Sequence, residues 1–118
     1  MPEMTMRCGF NMGSGSGAAA TDRSKVIITP SEGGTVQMPD TGRDGMLIMT
    51  PAAPLQMCVL ALPLNGPDLQ QVGICSMRDI AALQFTGGQV LNAPTELIEN
   101  QAIIVQRIDP ANNTWILI

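Results

Sequence analysis

The chain has 118 residues, of which 45% are hydrophobic and only 14% charged, and its formal net charge is −4. A soluble domain usually has about 25% charged residues, so this chain has few charges with which to cover the surface of a monomer. We infer that part of its surface is buried against other chains, because obligate interfaces contain few charges. The alternative is a small domain that is simply hydrophobic in composition and does not bury its surface against other chains. One lysine and five scattered arginines argue against a nucleic-acid partner, which would need clustered cations.

The sequence also argues against a membrane protein or a secreted protein. No run of about 18 apolar residues could cross a membrane, and residues 1–20 have glycine and serine where a secretory signal would have an apolar block. We therefore expect folding in the cytosol.

The cysteines predict neither a disulfide framework nor a metal site. Cys8, Cys58 and Cys75 are odd in number and widely spaced. Cys58 and Cys75 lie in apolar segments and are predicted to be buried, inert thiols. Because the chain has no histidine and no CxxC pair, we predict no metal and no other cofactor.

Residues 1–25 differ from the rest of the chain because they have no sustained hydrophobic period. Their centre, residues 13–20, is a Gly/Ser/Ala run, which by itself is typical of a disordered tail or linker. We predict instead an extended amino-terminal arm that a neighbouring chain holds in place, since small residues suit a narrow path across another subunit. The predicted partner contacts of this arm are Met4, Met6, Arg7, Phe10, Met12 and Arg23.

The β pattern begins at residue 26, and residues 26–118 are predicted to form one β-domain. A β-branched run at 26–29 predicts a strand, and 31–34 form a plausible hairpin loop to a second strand at 35–38. The next strands are predicted at 46–50 and, between two prolines, at 55–62.

The second half of the chain reads as a succession of short strands separated by residues that favour turns. Apolar side chains occupy both faces of these strands, which therefore need cover on both faces. Eight to ten strands at this spacing predict an all-β fold, either a β-sandwich or jelly roll or a small β-barrel. The predicted core residues are Ile74, Leu83, Phe85, Ile104 and Trp115.

Five segments follow one another in this half of the chain. They are DLQQVGI at 68–74, IAALQ at 80–84, GG at 87–88, VLNAPT at 90–95 and the loop 109–113 before Trp115. This succession resembles a module of tailed-bacteriophage virion proteins. In that pattern glycine usually stands at the place of Leu69, and threonine at the places of Ala81 and Gln84. The resemblance implies a β-rich structural module, often trimeric, that is found on phage fibres and capsid surfaces.

The resemblance and the composition together predict a structural virion protein. The first hypothesis is a capsid decoration or cement protein, assembled in the host cytoplasm and located on the capsid surface of the virion. Its partners would be the major capsid protein and further copies of itself, with a trimer as the first expectation. The alternative is a tail-fibre or receptor-binding tip that binds a glycan of the host surface.

The residue inventory argues against an enzyme. The chain has no histidine and a single lysine, and no serine stands in a nucleophile-elbow motif, so the usual general base and activated nucleophile are missing. Asp40 with Asp44, or Glu96 with Glu99, could act as paired carboxylates in hydrolysis. Acidic residues beside glycine and proline are more often turn formers, so we predict no catalytic residues.

Overall fold

The computed structural model describes residues 24–118, and within this range all regular secondary structure is β-strand. The predicted all-β class is therefore confirmed. The strand that was predicted to begin at residue 26 begins at Ser24, and the rest of the predicted arm lies outside the described residues. The nine strands are β1 Ser24–Ile28, β2 Thr35–Gln37, β3 Gly45–Met49, β4 Cys58–Ala61, β5 Gln71–Ser76, β6 Leu83–Thr86, β7 Gln89–Leu91, β8 Ala102–Asp109 and β9 Thr114–Leu117.

The first six strands alternate between two sheets, and within each sheet they pair in parallel. Strands β1, β3 and β5 lie side by side in a six-stranded sheet, whereas β2, β4 and β6 form a three-stranded sheet. In the larger sheet Ser24 pairs with Gly45, 21 residues later, and Gly45 pairs with Val72, 27 residues later. Each coil of the chain thus adds one strand to each sheet and stacks on the coil before it, which is a β-solenoid-like arrangement.

This arrangement shows that the sandwich, jelly-roll and barrel predictions are wrong. The segment 31–34 does not form a hairpin loop, because β1 and β2 belong to different sheets. The first of these two spacings is visible in the sequence: Ile-Ile-Thr-Pro at 27–30 is followed 21 residues later by Ile-Met-Thr-Pro at 48–51. A repeat of this length is the signature of stacked coils.

Antiparallel strands close the carboxyl-terminal end of the larger sheet. Strand β8 runs antiparallel to β5, β9 runs antiparallel to β8, and β7 pairs in parallel with β9. The strand order is therefore β1-β3-β5-β8-β9-β7. The register between β8 and β9 shifts between Arg107 and Asp109, a bulge of the kind that increases the local twist of a strand.

The main core consists of the side chains that the two sheets turn toward each other. One row of paired residues in the larger sheet is Val26, Leu47, Ile74 and Ile103, and each of them belongs to the core cluster or packs against it. Because the coils are in register, the same side of each coil supplies an apolar residue to this row. The coils therefore stack as layers of one continuous core.

The predicted core residues do not all lie in this core. Ile74, Leu83 and Trp115 are buried in it, and Phe85 is partly buried against it. Ile104 is half-buried and lies on the opposite face of β8, because the inward face of that strand consists of the odd-numbered residues up to Arg107. A one-residue change of register exchanges the two faces of a strand.

A second, smaller apolar cluster lies on the outer face of the six-stranded sheet. It consists of Met46 and Cys75, with Ile48, Met77 and Ala102 packed around them. Cys75 is disulfide-bonded, so the prediction of an inert thiol is wrong at this position. Cys58 is a free, buried cysteine, as predicted. Disulfide pairing depends on proximity in the fold, which spacing along the sequence does not reveal.

Candidate contact surface

Carboxylates of one coil hold the backbone of the next coil. The two Asp40 oxygens accept hydrogen bonds from the backbone amides of Leu64, at 3.4 Å, and Asn65, at 3.2 Å. Asp44 Oδ1 accepts one from the amide of Gln71 at 2.9 Å. The two aspartates considered above as a catalytic pair are therefore engaged in holding loops together, which is the turn-forming role that acidic residues often have.

The Arg107 side chain is a cation that is buried on the inward face of β8. Its Nε and Nη2 donate to Gln70 Oε1 at 3.3 and 3.0 Å, and Nη2 also donates to the Pro63 carbonyl at 3.2 Å. Its Nη1 donates to Asn113 Oδ1, and its guanidinium lies over the Trp115 ring, 4.5 Å from the centroid. A buried charge is tolerated only when its hydrogen-bonding groups are satisfied, and here neutral oxygens and an aromatic face satisfy them.

The buried position has an electrostatic consequence. Burial lowers the pKa of the Arg107 guanidinium, and the negative charge of Asp40 partly opposes this change. Arginine nonetheless keeps its proton in proteins. The guanidinium is therefore a permanently charged hydrogen-bond donor within this buried network.

The partners of Arg107 extend the network to the surrounding loops. Gln70 Nε2 donates to the Arg43 carbonyl at 2.7 Å, and Asn113 Nδ2 donates to the Gly87 carbonyl at 2.9 Å. At Gly66 there is no space for a side chain, because an added Cβ would lie 2.0 Å from Gln70 Oε1. The loops at one end of the molecule are thus fixed to a single buried side chain.

Two leucines project from the loop that this network fixes. Leu64 is 61% exposed and Leu69 is 60% exposed, and we call this pair the loop patch. The backbone amide of Leu69 donates to the Arg107 carbonyl at 2.8 Å, so Leu69 is held directly beside β8. Its φ is +66°, a left-handed conformation that is rare for a residue with a branched, bulky side chain.

A second exposed apolar patch lies on β1. Ile27 is 60% exposed and shares the outer face of β1 with the exposed Lys25, and we call these two residues the edge patch. Ile28 is 37% exposed and points to the opposite face, because successive side chains of a strand alternate. Among the described strands β1 pairs only with β3, so one of its edges has no partner strand within residues 24–118. Exposed apolar residues on an open strand edge favour contact with another chain.

The predicted arm contacts, by contrast, lie outside the described residues, so their roles stay predictions. These residues are Met4, Met6, Arg7, Phe10, Met12 and Arg23. Sequence reasoning missed Arg107 and its partners. It did single out Leu69, as a departure from the glycine of the phage pattern, but it did not predict the positive φ of this residue.

Within residues 24–118, no group of three or more His, Cys, Asp or Glu side chains could hold a metal ion. None of these residues belongs to a helix with the length and hydropathy needed to span a bilayer. An open depression of about 450 Å³ is lined by residues 98–102, a single stretch of chain whose one ionisable side chain is Glu99. That lining does not bring together the acid and base that general acid–base catalysis needs.

Comparisons with known proteins gave no relative of the chain. No protein-family model matches the sequence, no curated protein is similar to it, and no solved structure matches its fold.

Proposed function

We propose that the chain is a structural protein of a phage virion, a capsid decoration or cement protein that acts through the contact area it adds to the shell. The observation that supports this most is the presence of exposed apolar side chains on a fold whose loops are held together by hydrogen bonds. Leu64, Leu69 and Ile27 are each at least 60% exposed, and burying such large apolar side chains against another chain would be favourable. The five phage-like segments of the second half point to the same class of protein.

The partners follow from the same proposal. The arm at residues 1–25 would bind the major capsid protein, with its methionines and Phe10 in shallow pockets. The solenoid would contribute a rigid body that further copies contact, and three copies are expected from the phage resemblance. A segment that becomes ordered only on a partner loses conformational entropy at that moment, so a long apolar footprint is needed to compensate for the loss.

The arm can be tested on purified shells of the phage whose genome encodes the chain. Deleting residues 1–20 leaves β1 and all later strands intact but removes Cys8, so both variants are compared under reducing conditions, in which neither has a disulfide. The deletion variant should keep the circular dichroism of a β-protein. It should no longer sediment with the shells. The matched control replaces the Gly/Ser/Ala run at 13–20 by another small-residue sequence of equal length, which should sediment normally. Undiminished binding of the deletion variant would contradict the arm's role.

The alternative, a fibre tip that binds a host glycan, has one observation in its favour, the cluster of loops at the Arg107 end of the molecule. Sugar sites commonly use exposed aromatic rings, and Trp115 is buried beneath Arg107. Specific glycan binding by the isolated chain, lost when the exposed Asn112 is changed to alanine, would favour the fibre tip over the decoration protein.

A further inference from the structure

The outer face of the six-stranded sheet carries an apolar cluster whose burial needs a cover. We call its five residues the outer cluster: Met46, Ile48, Cys75, Met77 and Ala102. They belong to β3, β5 and β8 or directly follow β5, so within residues 24–118 no other element contributes to the cluster. Cys75 is nonetheless fully buried, and Met46 is only 5% exposed. Strands β1, β3 and β5 pair in parallel, and parallel sheets are normally covered on both faces.

Cys75 indicates which segment covers the outer cluster. It is disulfide-bonded, whereas Cys58 is a free, buried thiol on the smaller sheet. The chain has three cysteines, so Cys8 is the one that remains as a partner for Cys75. The residues paired with Cys75 across the sheet are Ile48 and Ala102. A sulfur that reaches Cys75 therefore brings its own segment of chain onto the outer cluster.

The residues around Cys8 have the pattern that such a contact needs. The segment 1–25 as a whole has no sustained hydrophobic period, but between positions 4 and 12 every second residue is apolar: Met4, Met6, Cys8, Phe10 and Met12. In an extended segment these side chains would share one side with the cysteine. The positions between them are polar or glycine, which suits a side that faces water.

The chain between Cys8 and β1 is long enough for this contact. Cys8 precedes Ser24 by 16 positions, and an extended chain of this length spans about 50 Å. Ser24 lies in one row with Val72 of β5, two strands across the sheet and three positions before Cys75. At about 4.8 Å between strands and about 3.3 Å per residue, this separation is about 14 Å. The Gly/Ser/Ala run at 13–20 can turn back over this distance, because glycine adopts conformations that other residues avoid.

We infer that residues 4–12 of this chain cover the outer cluster and are joined to it by a disulfide bond between Cys8 and Cys75. The bond forms by exchange with a small-molecule disulfide such as oxidised glutathione. One S–S bond forms between the two cysteines, the S–S bond of the reagent breaks, and the two thiol hydrogens pass to the reagent, which leaves as two thiols. Because the cytosol keeps thiols reduced, a chain made there acquires the bond after it leaves the cell.

The inference goes beyond the proposed function and does not rest on it. The same apolar side chains cannot cover the sheet and a shell at once, so binding of the arm to a shell belongs to the reduced chain. The tests below use the isolated chain without shells. Their failure can therefore be told apart from a failure to bind shells.

The pairing is tested by mass spectrometry of the full chain after equilibration with oxidised glutathione. Trypsin, together with a protease that cleaves before aspartate, places each cysteine in its own peptide, because cleavage occurs after Arg43 and before Asp68. The expected result is a chain of monomer mass in which the Cys8 and Cys75 peptides are linked and Cys58 is free. Any other result, including a link to Cys58, a disulfide-linked dimer or glutathione on Cys75, would overturn the pairing.

A second measurement distinguishes a packed cover from a loose tether. In buffers of reduced and oxidised glutathione, the equilibrium constant for closing the Cys8–Cys75 bond measures how strongly the folded chain holds the two sulfurs together. Phe10→Ser, on the cysteine side of the alternation, should lower this constant about tenfold or more, because a buried Phe side chain is lost. Asn11→Ser, on the opposite side, is the control and should change it by less than about twofold.

The same constant tests the sheet side of the contact. Ile48→Thr, within the outer cluster, should also lower it, whereas Ile98→Thr should not, because Ile98 is 48% exposed and lies outside the cluster. Circular dichroism checks that each variant keeps the β-fold. Equal constants for Phe10→Ser and Asn11→Ser would overturn the inference that residues 4–12 pack on the sheet, as would equal constants for Ile48→Thr and Ile98→Thr.

Discussion

Changing Arg107 to methionine should destabilise the fold by about 3 kcal/mol. Methionine keeps an apolar stem against Trp115 but donates no hydrogen bonds. The buried oxygens of Gln70 and Pro63 would then lose the donors that now lie 3.0 and 3.2 Å away. Each buried acceptor left unpaired costs about 1–3 kcal/mol, which gives about 2–6 kcal/mol for the two. Removing a buried cation recovers part of this cost, so the expected loss of about 3 kcal/mol lies in the lower half of this range.

Urea unfolding followed by tryptophan fluorescence measures this change, because Trp115 is the only tryptophan of the chain. All variants are compared at one protein concentration, since association would add to the apparent stability. The double variant Arg107→Met/Gln70→Leu should regain up to about 1 kcal/mol relative to the single variant, because the orphaned Gln70 oxygen is gone, although the bond from Gln70 Nε2 to the Arg43 carbonyl is lost as well. An Arg107→Met variant within about 0.5 kcal/mol of the unmodified chain would refute the idea that the network fixes the loops, since that is the range of ordinary surface substitutions.

Two further predictions concern the same end of the molecule. Gly66→Ala should lower the midpoint of urea unfolding by an amount equivalent to about 2 kcal/mol. The added Cβ would collide with the buried Gln70 side chain, and overpacked sites cost about 1–3 kcal/mol. The control changes the exposed Ala111 to glycine, and equal midpoints for the two variants would contradict the prediction. Hydrogen bonds from Asn112 lower the pKa of the exposed Asp109 carboxyl in the folded protein. The small stabilisation by this carboxylate is therefore fully present above about pH 3.9, the pKa of the group in the unfolded chain. It is lost as the pH falls through the lower pKa of the folded state. NMR titration should show that Asn112→Ala raises the Asp109 pKa while Asn92→Ala does not, and an unchanged Asp109 pKa in Asn112→Ala would count against this cause.

The positions of the strands could be predicted from the sequence, but their partners could not. β-Branched runs such as 26–29 and prolines such as Pro30 mark where strands begin and end, because these residues act locally. Pairing is decided by the whole chain. The glycines at 33–34 suit a tight turn in a hairpin and equally a corner between two sheets. The local sequence therefore does not distinguish the two structures, and the hairpin prediction was wrong because β1 and β2 lie in different sheets. The 21-residue repeat of Thr-Pro at 29–30 and 50–51 is the feature that distinguishes the two.

The candidate contact surface was predictable only in part. In the sequence, Leu69 is recognisable only as a departure from glycine in the pattern that this half of the chain resembles. Its positive φ is seen in the structure alone. Arg107 does not stand out, since a charged residue in an apolar strand is ordinarily placed on the solvent side. Its partner Gln70 is 37 residues away in the chain. A buried polar network of that span depends on the fold and leaves no local pattern.

Counting the copies of the chain in purified virions tests most directly the claim that it acts through contact area in an assembly. Quantitative mass spectrometry against a labelled standard gives this number relative to the major capsid protein. A decoration protein that covers the shell should be present in hundreds of copies per particle. A handful of copies, or none after the particles are washed, would contradict the account.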